Sequence, residues 1–148
     1  MIDSSLLRDT ERFLHEKIPL SLAMGVQVES HAKDGLILTA PLAANHNHLG
    51  TAFGGSLSAL ATLAGYALLW LELGDREAHI VIHSSTIRYR RPVTGNIRAI
   101  GQRPDASTLA AFKTQFAKTG KARITLKVSI EQDGFACVDF EGVYVALR

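Results

Sequence analysis

The chain has 148 residues, 47% of them hydrophobic and 20% charged, with a net charge of +2. That size suits a single domain over residues 1–148, with enough core to need no disulfide or metal staple. The hydrophobic content excludes a disordered chain, and the charge is too small to argue for nucleic acid.

The charge is unevenly placed. Residues 35–71 carry no Asp, Glu, Lys or Arg at all. A gap of that kind is either a membrane segment or the buried middle of a compact protein. Residues 52–71 are long enough to span a bilayer. They include Gly54, Gly55, Ser56, Ser58, Thr62 and Gly65, and no Lys or Arg lies close to either end. A core helix, with no membrane partner, is therefore expected.

In chain order, Leu7, Leu14 and Ile18 recur at helical spacing after Asp3-Ser4, a candidate N-cap, and Pro19 ends or kinks that first helix. Residues 26–32 and 36–41 read as strands joined by an Asp34-Gly35 turn. A polar loop over residues 45–53 leads into the long helix. Leu57, Leu60, Ala61, Ala64 and Leu68 line one of its faces, and Ala59, Tyr66, Ala67 and Trp70 the other. A helix apolar all round is expected to be wrapped on every side. Gly65 in its middle is costly in propensity, so a close backbone approach is expected there. Gly74-Asp75 ends it.

Residues 80–92 and 97–102 read as strands about a Thr94-Gly95 turn. Asp105 then caps a short helix with Leu109, Phe112 and Phe116 on one face. Strict alternation from Lys121 to Ile130 marks a half-buried antiparallel strand, and Asp133-Gly134 turns into a last strand over residues 135–147. The order α-β-β-α-β-β-α-β-β with one enclosed helix predicts an α+β fold, a curved antiparallel sheet wrapped around the long helix. Its open edges predict an obligate homodimer.

The chemistry concentrates in Asn45-His46-Asn47-His48-Leu49-Gly50-Thr51-Ala52-Phe53-Gly54-Gly55-Ser56. Two glycines at a helix N-terminus expose backbone N–H groups, and the helix dipole adds positive potential at the same place. That combination stabilises a carbonyl oxygen turning into an oxyanion. Asn47, His46 and His48 are placed to orient water or a substrate carbonyl. The alternative is that Gly54-Gly55 only permits tight packing.

These residues resemble a known family. Asn47-x-x-Gly50-x-x-Phe53-Gly54-Gly55 is similar to the Asn-x-x-Gly-x-x-His-Gly-Gly signature of hotdog-fold acyl-CoA thioesterases of the phenylacetic-acid-pathway type. A closer resemblance is to the thioesterase-like domain (YiiD C-terminal type) that some bacteria fuse behind a GNAT acetyltransferase. It rests on Asn45-His46-Asn47-His48, on Gly50 to Leu57, and on Gly142-Val143-Tyr144-Val145.

The resemblance implies a hotdog fold, paired into dimers or dimers of dimers, that binds an acyl thioester at the dimer interface. No cofactor is implied beyond the coenzyme A or phosphopantetheine of the substrate, and acyl carrier protein becomes a candidate partner. The family's oxyanion glycine falls on Gly54 and its loop Asn on Asn47. Its helix carboxylate falls on Thr62 and its His on Phe53, two departures. Since Thr62 cannot act as a base, His48 or His46 is expected to do so, or a water held by Thr62 and Ser56. Asn45, Phe53 and His83 join His46 and Ser56 as expected substrate contacts. Thioester hydrolysis is the leading reaction; a non-catalytic acyl-thioester binding module is the competitor, favoured by the missing carboxylate.

Other readings are weaker. His46-x-His48 with His79 or His83 lacks a neighbouring acid, so no metal is expected. Arg88, Arg90, Arg91, Arg98, Lys121 and Arg123 are either edge-strand protection or a clamp for phosphates or an acidic carrier. The lone Cys137 and a start unlike a signal peptide point to the cytoplasm. No Gly-x-Ser-x-Gly elbow, P-loop or dinucleotide fingerprint occurs.

Overall fold

The computed structural model describes residues 4–148. The proposed cap Asp3 lies outside them. Helix α1 runs over Ser4–Lys17 and turns Leu14 into the core. The first helix stops just before Pro19, as expected of a residue that ends or kinks it, and Pro19 then opens a second short helix that was not expected, α2, Pro19–Ala23. A proline at the first helical position forfeits no hydrogen bond, and five residues are too few to show a helical period.

Strands β1 (Gln27–Ala32) and β2 (Gly35–Ala40) follow, then a single 3-10 turn, Leu42–Ala44. The long helix α3 spans Gly54–Leu73 and stops at Gly74, whose φ of 62° is the left-handed cap expected of glycine. Next come β3 (His79–Tyr89), β4 (Ile97–Gln102), α4 (Ala106–Thr119), β5 (Lys121–Gln132) and β6 (Phe135–Leu147). The third strand was expected to reach Pro92 but ends at Tyr89. The N–H groups of Arg90 and Arg91 both turn to the Cys137 carbonyl, at 2.7 and 3.2 Å, and Pro92 has none to give.

The six strands form one antiparallel sheet in the order β1-β2-β4-β5-β6-β3. Alternation decides which side faces in: Ala122, Ile124, Leu126, Val128 and Ile130 of β5 are buried. Helix α3 packs against β2, β3, β4, β5 and β6 at once, which is the helix-in-sheet architecture expected of a hotdog fold. The helix is long and apolar enough to cross a bilayer, and 56% of its most apolar stretch is instead buried within the fold. The close approach at Gly65 is real: a Cβ there would stand 2.2 Å from the Tyr144 hydroxyl, which donates to the Thr62 carbonyl at 2.8 Å.

One expectation needs correcting. The helix is not wrapped on every side: Ser58, Ala59, Thr62 and Tyr66 form a half-buried stripe, open between α2 and β3. The curved sheet encloses the rest of α3 and α1 stacks Phe13 on Trp70 at 4.3 Å, which leaves Ala59, Thr62 and Tyr66 of this stripe in a groove lined also by Ile18, Leu20, Ile80 and Ile82.

The two sheet edges differ. Side chains of α1 close the β1 edge: the Val28 N–H donates to Glu11 at 2.9 Å, Arg8 donates to the Val28 carbonyl, and the His15 ring sits 2.8 Å from the Val26 carbonyl. Among the described residues the β3 edge has no such cover, and residues 81–86 are exposed on both faces.

Candidate active site

The loop before α3 is tied down at its base. Asn45 is buried and donates both amide hydrogens, to the carbonyls of Met24 and Pro41 at 2.8 Å each. It therefore has no donor left for a substrate. The Phe53 N–H closes onto the Asn45 carbonyl at 2.8 Å, and the Ala52 N–H onto the Val93 carbonyl at 2.8 Å.

Asn47 organises the tip. Its Oδ1 accepts from Leu49 N–H at 2.8 Å and Thr51 N–H at 3.2 Å, while its Nδ2 donates to Thr51 Oγ1 at 2.9 Å. Gly50, with φ of 81°, completes the turn in a conformation other residues rarely adopt. The turn holds His48 out in solvent; His46, also exposed, rests its Nδ1 2.9 Å from the Asn47 carbonyl.

Helix α3 begins without a side-chain cap, because Phe53 sits at the N-cap in an extended conformation. The first helical hydrogen bond is from Leu57 N–H to the Phe53 carbonyl, at 3.0 Å. The N–H groups of Gly54, Gly55 and Ser56 therefore have no partner among the described residues. Two exposed aromatic rings flank them. Phe53, 55% exposed, lies over Gly55 so closely that a Cβ there would be 2.4 Å from the ring. Tyr89, 52% exposed, stands against Gly54 and donates its hydroxyl to the Gly54 carbonyl at 3.3 Å.

Two grooves open here. A polar one of about 310 Å³ is lined by Asn47, Thr51, Gly54, Tyr89, Arg90 and Arg91, among others. An apolar one of about 620 Å³ runs along the open stripe of α3, between Ile18 and Leu20 on one side and Ile80 and Ile82 on the other. Thr62 lines this apolar groove, with its hydroxyl donated to the Ser58 carbonyl at 2.8 Å. Burial raises the pKa of the Tyr66 phenol and, more strongly, that of Tyr144, both of which also line it, so both stay protonated. No carboxylate lines either groove.

The loop fold thus gathers Asn47, Phe53, Gly54, Gly55 and Ser56, while His46 and His48, on the same loop, are exposed and line neither groove. Thr62 stands apart, eight residues or about 12 Å along the helix axis from Gly54. His83 falls in the β3 bulge between Ile82 and Ser84 and lines neither groove. Of the basic group, Arg90 pairs with Asp139 and Arg98 with Glu29, while Arg91 stacks on Phe135 with its guanidinium 4.1 Å from the ring centre. No cluster of three metal-binding side chains occurs among the described residues. Tyr89 was not foreseen: alternation marks it as a strand residue, but its neighbour Gly54 is 35 positions away, out of reach of any local pattern.

Comparison with known proteins agrees with this fold. The family model described as "Putative thioesterase (yiiD_Cterm)" matches residues 7–148. A protein of unknown function from Chlorobaculum tepidum is 36% identical, with a TM-score of 0.87 over 98% of this chain and 96% of that one. A structure named as a putative thioesterase from Shewanella oneidensis is 32% identical, with a TM-score of 0.84 over 99% and 100% of the two chains. A Pseudomonas aeruginosa protein described as a probable thioesterase is 26% identical, with a TM-score of 0.81 over 99% and 96%. With nearly its whole length matched and its helix-in-sheet architecture shared, the chain belongs to the YiiD C-terminal thioesterase family and has the hotdog fold.

Proposed function

We propose that the protein hydrolyses acyl thioesters of coenzyme A or acyl carrier protein, as a homodimer paired through the β3 edge. The observation that carries this reading is the row of unpartnered amides at Gly54, Gly55 and Ser56, set between a polar and an apolar groove. The substrate carbonyl oxygen accepts from Gly54 and Gly55, whose N–H groups and helix dipole stabilise the oxyanion as it forms. His48 takes a proton from the attacking water, and Asn47 holds the turn that presents it. Water adds to the carbonyl carbon, the C–S bond breaks, and the sulfur leaves with the proton. A thiolate is a far better leaving group than an alkoxide, because thiols ionise much more readily than alcohols, so a carboxylic acid is not needed to expel it. Thr62 is too far from Gly54 in the same subunit to hold that water; it belongs to the acyl groove.

A second reading, binding without turnover, is favoured by the absence of any carboxylate in both grooves. One experiment separates the two. Thiol release is followed over a chain-length panel of acyl-CoAs for the wild type, Gly54→Pro, Gly54→Ala, Asn47→Ala and His48→Ala. Proline is tolerated at the first helical position after the extended Phe53 but deletes the N–H, whereas an alanine Cβ meets only Tyr89, at 3.7 Å. We expect Gly54→Pro to lose about a hundredfold or more in kcat and Gly54→Ala to keep most of it. Saturable acyl-CoA binding with no thiol released by the wild type would establish the binding module instead.

A further inference from the structure

We propose that the polar groove is the seat of the phosphate of a phosphopantetheine arm, with Arg91 as its anchor. This deepens, and rests on, the reading of the substrate as a thioester. It also fixes the direction of binding: carrier arm toward Arg91, acyl chain along α3 toward Tyr66.

The argument begins with which cation is free. Arg90 and Arg91 are the charged residues that line the groove, and no acid lines it with them. Arg90 spends its Nε on Asp139. Arg91 forms no ion pair among the described residues; its guanidinium lies over the face of Phe135 at 4.1 Å. A cation–π contact spends no N–H on an acceptor, so the guanidinium keeps donors for two phosphate oxygens.

Its base is also fixed in place. The Arg91 N–H is held by the Cys137 carbonyl at 3.2 Å, and Pro92 follows it. Edge protection does not account for Arg91, because β3 has already ended at Tyr89. Arg91 follows Tyr89, which touches Gly54, by two residues, or roughly 7 Å of extended chain. The other groove suits the acyl chain better: Ile18, Leu20, Leu63, Ile80, Val81 and Ile82 form most of its wall, and its one charged residue is the exposed Lys17.

The test compares three thioesters of one acyl chain, carried by coenzyme A, by phosphopantetheine, and by N-acetylcysteamine, which lacks the phosphate. Arg91→Gln is set beside the wild type, with Arg98→Gln of the distant Glu29 pair as control. We expect Arg91→Gln to raise KM roughly tenfold for the two phosphate-bearing esters and to leave the N-acetylcysteamine ester unchanged. An equal change for all three overturns the assignment. So does a change confined to coenzyme A, which would place a nucleotide phosphate at Arg91.

An acyl carrier protein thioester carries the same phosphate and is expected to show the same dependence; the larger wild-type kcat/KM names the source. If no thioester turns over, hydrolysis fails but this inference is still tested by calorimetry with free phosphopantetheine. A roughly tenfold weaker Kd in Arg91→Gln supports it, and equal affinity overturns it.

Discussion

Gly65 shows how a single residue can be read in sequence and explained only in structure. Its presence mid-helix signals a close approach, but the partner, Tyr144, lies in the last strand. Gly65→Ala would gain about 1 kcal/mol of helix propensity. Against that stands a Cβ 2.2 Å from a buried hydroxyl that is itself hydrogen-bonded to Thr62, and overpacking of a fixed neighbour costs about 1–3 kcal/mol. The overlap wins. Urea denaturation should show Gly65→Ala less stable by about 1 kcal/mol; stability equal to or above the wild type would mean that Tyr144 shifts freely. Asn45 and Asn47 make the same point about roles. Both were legible as polar loop residues, but only the hydrogen bonds show one bolting the loop to its base and the other shaping its tip.

At the scale of elements, the far end of α3 carries a pH response. Glu72 is held there by Arg103 at 3.0 Å and Lys113 at 3.9 Å, tying the helix to α4 and the segment after β4. Beside them, both ring nitrogens of His31 in β1 are buried without a partner among the described residues. Desolvation lowers the His31 pKa; Glu72 opposes that shift and Arg103 adds to it. The sign follows directly. Above the unfolded value of 6.5 the imidazole is neutral in both states and has no effect. As pH falls below 6.5 the unfolded chain takes up the proton more readily, and stability declines toward the lowered folded value. His31→Leu should remove that decline, and the gap in Tm between it and the wild type should change between pH 7 and pH 5. A constant gap would show that His31 titrates as freely folded as unfolded.

For the whole molecule, the decisive asymmetry is between the sheet's two edges. Arg8, Glu11 and His15 satisfy the backbone of β1 and the residue before it, whereas β3 is bare and carries exposed Val81 and Ile82 beside the open stripe of α3. An unprotected edge next to an apolar groove is the surface a second copy would cover. Sedimentation should find the wild type dimeric and Ile82→Glu monomeric, since a charge there has no partner once buried. A monomeric wild type at micromolar concentration would refute pairing through β3.

Alternation with a period of two, helical spacing and turn residues fixed most of the elements, because these signals are local and the backbone geometry that reads them is the same everywhere. They failed where the signal was short or ambiguous: the five residues of α2, and the end of β3, where the strand period alone does not show that Arg90 and Arg91 leave the ladder before Pro92. The charge-free stretch from residue 35 to 71 announced a helix destined for the interior, with no acidic side chain along it before Glu72. What the chain alone could not supply were juxtapositions between distant residues: Tyr89 beside Gly54, Tyr144 across Gly65, Arg91 at the mouth of the polar groove. Those depend on how a twisted sheet closes around the helix, which is set by packing of the whole core and leaves no periodic trace in the sequence.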